Sequence, residues 1–314
     1  MSMMPSLERG AVRSRFAWGD LSPVVRRRLF WGLFFISPWL IGFCAFTAYP
    51  VFASLFYSFT DYNIINRTPH MVGWDNYADL IEGRYDTWKS LRITLRYVGM
   101  LVALATVFDV IVAMLLNMKV RALSIYRTVF YLPVMVPVVA ASLTWVWVLN
   151  PNYGLVNGLL DRVGIEGPAW LASQRTALLS LVFVAVWGSG RAVLIYLAGL
   201  KEIPVHLYEA ADIDGANAWR KMWAITLPLL TPQMLFNIIT MTIFSFQSIA
   251  APEIMTGGGP NKSTLLFGYL LYRVAFENLK MGFASAMAWL LFLVILALTL
   301  IMFYGSRNWV HYER

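Results

Sequence analysis

The chain has 314 residues, of which 59% are hydrophobic and 13% charged, with a mean hydropathy of +0.62 and a formal net charge of +8. That balance is too apolar for a soluble globular domain and makes the chain an integral membrane protein. Basic segments beside an anionic leaflet account for the positive charge, so membrane lipid is an expected partner and nucleic acid is not.

Residues 1–28 read as a basic cytoplasmic tail that ends in Arg26-Arg27-Arg28. A membrane-spanning helix needs roughly 20 mostly apolar residues. Six stretches qualify, at about 29–60, 91–117, 127–149, 177–200, 226–250 and 282–304. The predicted fold is all-α and polytopic, with a transmembrane region over 29–304 and a short cytoplasmic tail over 305–314. The positive region is too long and the apolar run too extended for a cleaved leader, so the first span is expected to be a retained anchor. Pro50 predicts a kink or break, followed by a short periplasmic extension. Cys44 has no second cysteine to pair with, and Ile41-Gly42-Phe43 before it does not form a lipobox. It reads as a small apolar filler.

Spans two and four each carry a charge deep in the apolar run, Asp109 and Arg191, at similar depth. Charges in such places are functional candidates. Two readings stay open: a structural ion pair between them, or an Arg191 that faces the pathway and meets an anionic group on a solute.

Between spans four and five, residues 201–225 form a polar interruption. Pro204 can open a short helix there and Gly215 can close it at positive φ, giving a compact knob. Span five then carries Gln233, Asn237, Thr240, Phe244, Gln247 and Ser248, which at about 100° per residue fall within an arc of about 100°. Amides facing lipid are costly, so this stripe faces either a cavity or a neighbouring helix. An aromatic ring among amides suits sugar recognition, whereas packing on a partner subunit explains the stripe equally well.

Other chemistries fail on inspection. The run Gly257-Gly258-Gly259-Pro260-Asn261-Lys262-Ser263-Thr264 has Asn261 where a P-loop needs glycine, and reads as a turn. His70, His206 and His311 lie in separate loops without metal-ligand spacing, and no serine has a nucleophile elbow around it. With both termini inside, the inner segments hold fourteen Lys and Arg against eight in the outer loops, which places the knob on the cytoplasmic side.

Glu209-Ala210-Ala211, then Asp212 and Gly215, then Ile225-Thr226-Leu227-Pro228, resembles throughout the EAA motif of the permease subunits of binding-protein-dependent ABC importers. The resemblance extends over nearly the whole chain. Gly73-Trp74-Asp75-Asn76-Tyr77, Tyr131-Leu132-Pro133, Gly154-Leu155-Val156-Asn157, Leu197-Ala198-Gly199-Leu200 and Gly258-Gly259-Pro260 are similar, in the same order, to segments of the carbohydrate class that includes the maltose and glycerol-3-phosphate importers. The large second periplasmic domain of the maltose permease is missing.

The resemblance implies a type I importer permease with six transmembrane helices and a cytoplasmic coupling helix in the bacterial inner membrane. It implies a second homologous permease, two ATPase subunits that bind ATP and Mg, and a periplasmic substrate-binding protein as partners. The chain itself would hold no cofactor and catalyse nothing. Glu209, Ala210, Ala211, Asp212 and Gly215 would couple to the ATPase, and Asn237, Thr240, Phe244, Gln247, Arg191 and Asp109 are the candidates for the substrate pathway. The alternatives are a secondary transporter of a polar solute, which would need inverted repeats or a proton relay, and a membrane scaffold, which would not need the EAA segment.

Overall fold

A computed structural model of the protein describes residues 22–65, 68–118 and 121–311. The expected basic tail up to residue 21 and the final three residues lie outside this range. Among the described residues the chain is α-helical with no strand, and one isolated bridge joins Thr60 to Met71.

The first helix, α1, runs unbroken over Pro23–Tyr57 and so takes in Arg26-Arg27-Arg28. The expected break at Pro50 is absent. A π turn over Cys44–Ala48 takes its place, in which the Tyr49 N–H bonds to the Cys44 carbonyl. The wider turn absorbs the missing N–H and the ring of the following proline, so the helix continues. Cys44 sits in this turn and is exposed, so it does not fill a core position. The part of the helix up to Ser54 is a compact unit of its own, and Leu55–Arg314 is the second.

The second unit begins with the connection to α2 (Asp75–Ile81). The central helix follows, α3 (Thr87–Asn117), then α4 (Leu123–Met135), α5 (Val138–Val148) and α6 (Leu155–Arg162). Next come α7 (Ala177–Trp187), α8 (Gly190–Glu202) and α9 (Val205–Ile213). The chain ends with α10 (Ala218–Leu229), α11 (Thr231–Phe246), α12 (Ala250–Thr256), α13 (Phe267–Tyr272) and α14 (Met281–Ser306).

Three helices are long and apolar enough to cross a membrane, and six crossings result if each bent pair is one span. The bends qualify the expectation of simple spans. The stretch read as one span over 127–149 turns by 104° between α4 and α5. Pro137 explains it: proline excludes the preceding residue from helical geometry, and Val136 is extended at φ −78° and ψ 125°. The α7–α8 pair bends by 48° at Gly188-Ser189, and the α10–α11 pair by 61° at Leu230 between Pro228 and Pro232.

Helix α3 packs against α7, α8 and α11, so it forms the spine of this unit. Two apolar cores lie along it. One gathers Leu91, Tyr97 and Leu101 with Phe246, Phe267 and Met287, and the other gathers Val110, Ala113 and Leu116 with Val193, Tyr196 and Leu230. The bends bring distant segments onto this spine. Because hydrocarbon offers no partner for a free backbone group, the broken turns must sit against protein or a wet cavity.

Candidate functional site

Two places gather the residues singled out above. The first is the knob. Pro204 stands at the N-cap of α9 with φ −62° and ψ 129°, one residue outside the helix it introduces. At the other end, the Gly215 N–H bonds to the Asp212 carbonyl at 3.1 Å and the Ala216 N–H to the Ala211 carbonyl at 2.9 Å. With Gly215 at φ +70°, this is the Schellman arrangement, in which a left-handed glycine satisfies the last helical carbonyls.

The turn then re-enters helix at once. Asn217 caps α10 by accepting the Arg220 N–H at 2.8 Å. Lys221 Nζ reaches back to Asp212 Oδ1 at 2.5 Å, and the Tyr208 hydroxyl shares a hydrogen bond of 2.9 Å with Thr226 Oγ1. These contacts tie α9 to the start of span five, so a push on one is carried to the other. Glu209, Ala210 and Asp212 remain exposed, and so does Ile213, at 88%.

The second place is an open cavity of about 600 Å³, within the usual range of small-molecule sites. Its walls come from α3 (Tyr97, Leu101), from the α7–α8 break (Gly188, Ser189, Arg191) and from α11 (Asn237, Thr240, Phe244, Ser245). The predicted stripe therefore divides. Asn237, Thr240, Phe244 and Ser248 line this cavity. Gln233 lies in a different hollow with Glu202 and His311, and Gln247 is exposed elsewhere. The cause is the helix end: α11 stops at Phe246 and Gln247 sits at φ −94° and ψ 11°, so the helical arc no longer fixes its direction.

Within the cavity, Phe244 is 63% exposed, Thr240 Oγ1 donates back to the Phe236 carbonyl at 2.8 Å, and the Asn237 side chain is largely buried with its amide against the Tyr196 hydroxyl. The wall thus presents a ring face, a hydroxyl oxygen that can still accept, and part of an amide side chain. Such a set is suited to a polyhydroxylated solute.

Asp109 and Arg191 do not pair. Asp109 is fully buried and accepts a hydrogen bond from Ser189 Oγ at 2.5 Å, while the ion pairs among the described residues all lie elsewhere. Arg191 is exposed toward the cavity. Matched depth along two helices set the pair up, but depth says nothing about the angle at which each side chain leaves its helix. The α7–α8 bend settles that angle. Gly190 holds α8 close to α4: a Cβ there would lie 2.6 Å from the Phe130 carbonyl oxygen.

Ser189, Tyr97 and Ser245 escaped the sequence reading. Ser189 could have been found from the flanking Gly188 and Gly190, which mark a helix break. Tyr97 and Ser245 carry no comparable mark.

Several of the family-like segments prove architectural. Asn76 Nδ2 donates to the Ser58 and Thr60 carbonyls at 2.9 and 2.8 Å, and the Tyr77 hydroxyl meets Ser58 Oγ at 2.7 Å. Asn157 receives the Trp170 Nε1–H at 2.7 Å and donates to the Pro151 and Pro168 carbonyls. The glycine-rich segment is a turn between α12 and α13, with Gly257 and Gly258 at positive φ, and Lys262 pairs with Asp86 across it.

A sequence model of the family described as "Binding-protein-dependent transport system inner membrane component" matches residues 105–308. The chain is 41% identical, over 90% of its length and 92% of the relative's, to the probable ABC transporter permease protein YesP of Bacillus subtilis (strain 168). It is 32% identical to the sulfoquinovosyl glycerol transport system permease protein SmoG of Agrobacterium fabrum (strain C58 / ATCC 33970), over 84% of this chain and 86% of SmoG. It is also 32% identical to the trehalose/maltose transport system permease protein MalF of Thermococcus litoralis (strain ATCC 51850 / DSM 5473 / JCM 8560 / NS-C), over 86% of this chain and 91% of that one.

In fold it is similar to a chain of a bacterial ABC transporter involved in the import of the acidic polysaccharide alginate, with a TM-score of 0.73 over 91% of this chain and 97% of that one, at 21% identity. The exposed helical knob, the bent spans and these matches agree, and the chain belongs to the inner membrane components of binding-protein-dependent transport systems, the non-catalytic permease subunits of ABC transporters.

Proposed function

We propose that this chain forms one half of a two-permease pore in an ATP-driven importer, and that its cargo is a sugar or oligosaccharide delivered by a periplasmic binding protein. The observation that carries the reading is the cavity beside α11, where Asn237, Thr240 and Phe244 offer an amide, a hydroxyl and a ring face in one wall. The names of relatives such as SmoG and MalF, which specify sugar cargo, support the same class.

In this reading both termini are cytoplasmic, in line with the excess of basic residues on that side. The knob of α9 sits in a cleft on one of two ATPase subunits, which bind ATP and Mg. Glu209, Ala210, Ala211, Asp212 and Gly215 form the contact and its turn. When the ATPases close, the knob moves with them, and the bonds from Tyr208 and Asp212 to the start of span five carry that motion into the pore. Access then alternates between the two sides. Asn237, Thr240, Phe244 and Arg191 line the path, while Asp109 supports it from behind through Ser189. Gln247 lies outside the cavity wall.

Affinity purification of the tagged chain from its own membranes, followed by reconstitution into vesicles, tests the proposal. A second permease and ATPase subunits should co-purify, and saccharide uptake should require ATP and the binding protein. Solute flux through vesicles containing this chain alone, without ATP, would replace the importer with a secondary transporter.

A further inference from the structure

We infer that Arg191 makes the cavity selective for acidic saccharides, with its guanidinium receiving a carboxylate of the cargo. This rests on the importer reading above and adds the charge class of what is carried.

Of the residues lining the cavity, Arg191 is the one basic side chain, and no acidic one joins it. A lone guanidinium in a membrane domain is costly, and such groups persist where they have a partner or a task. No partner is offered within the described chain. Asp109 is the carboxylate at matching depth, yet it is fully buried and held by Ser189, so a solute would meet the cation and not the anion.

The backbone adds to the positive field. Arg191 is the second residue of α8, and the break that precedes it, Gly188-Ser189, lies in the cavity wall. The positive end of the α8 dipole therefore opens on the same cavity as Arg191, as in transporters whose broken helices aim their N-termini at anionic groups. The close contact of Gly190 with the Phe130 carbonyl sets the position of this helix start. A neutral sugar needs no cation. A uronic acid presents a planar carboxylate, which a guanidinium binds through two parallel hydrogen bonds.

Two measurements on the assembled complex test this. In a Cys44→Ser background, Thr240→Cys places a reporter thiol in the cavity, and its rates of modification by an anionic and a cationic methanethiosulfonate reagent are compared. The anionic reagent should react faster. Added Arg191→Gln should lower the ratio by about tenfold, Arg191→Lys should preserve it, and high salt should compress it. A ratio near one in the Arg191 protein would mean that the partner permease neutralises the guanidinium and would overturn the proposal, whether or not the Gln variant assembles.

In the second measurement, ATP-dependent uptake of a uronic-acid trisaccharide is compared with that of its uncharged methyl ester. Arg191→Gln should depress uptake of the acid about tenfold more than uptake of the ester. Equal depression of both would overturn the selectivity while leaving the importer intact. Absence of any ATP-driven saccharide uptake by the unaltered complex would instead defeat the cargo class proposed above, and the thiol ratio would still decide the charge of the cavity.

Discussion

In the knob, Asp212 meets Lys221 nine positions away, Asn217 caps Arg220 at three, and Tyr208 meets Thr226 at eighteen. The helices around the cavity are instead joined by remote partners: Ser189 holds Asp109 across eighty positions, and Thr94 receives the Phe267 N–H across 173. The knob is thus held by contacts close in sequence and is exposed, although Tyr208 and Ile225 also rest on the second core. The cavity exists only once α3, α8 and α11 have packed. A change in the knob should therefore alter coupling with little effect on the rest of the molecule, whereas a change at the cavity should be felt through packing or through solute binding.

The largest effect is expected at Glu209. Its carboxylate is exposed on α9, so Glu209→Ala should leave the complex assembled yet cut ATP-driven uptake by at least about tenfold. Normal uptake with normal ATPase association would remove the knob as the coupling element.

Next comes Gly190→Ala. Its Cβ would fall 2.6 Å from the Phe130 oxygen and 2.9 Å from Val134 Cγ2, and overpacking of this kind costs about 1–3 kcal/mol. Thermal unfolding in detergent should show the loss. Gly188→Ala, whose nearest contact is 3.6 Å, is the control and should be mild. Equal stability of the two variants would mean that α8 is free to move away from α4.

The stripe on span five yields a sharper contrast. Asn237→Ala should reduce uptake several-fold with complex yield unchanged, and Gln247→Ala should be close to wild type, because only the first lines the cavity. Matching losses of yield and uptake for Asn237→Ala would turn that wall into a packing surface.

Gly215→Ala should be gentler than Gly190→Ala. No atom crowds its Cβ, so what remains is the backbone penalty of a left-handed residue, about 1 kcal/mol. Protease susceptibility of the loop reads this directly, and a greater destabilisation than for Gly190→Ala would show that the knob is not a local structure.

The smallest effect is a coupling. Without an ion pair, the stability changes of Arg191→Gln and Asp109→Asn should add to within about 0.5 kcal/mol in a double-mutant cycle. Rescue of one by the other would place the two charges in contact.

The amino-acid sequence by itself determined the all-α membrane class, six apolar stretches, the knob between Pro204 and Gly215 and the family. These follow from hydrocarbon thickness, from the φ preferences of proline and glycine, and from the spacing of neighbours along the chain. It also reached five cavity residues, Asn237, Thr240, Phe244, Ser248 and Arg191, because helical periodicity or an unusual charge marks them. Tertiary structure decided the rest. Pro50 passes without a break because a π turn precedes it, whereas Pro137 turns its span by 104°. Gln247 leaves the stripe because its helix ends one residue earlier. Asp109 turns to Ser189 and Arg191 to the cavity, since the direction of a side chain depends on the rotation and bend of its helix, and only packing against the other helices sets those.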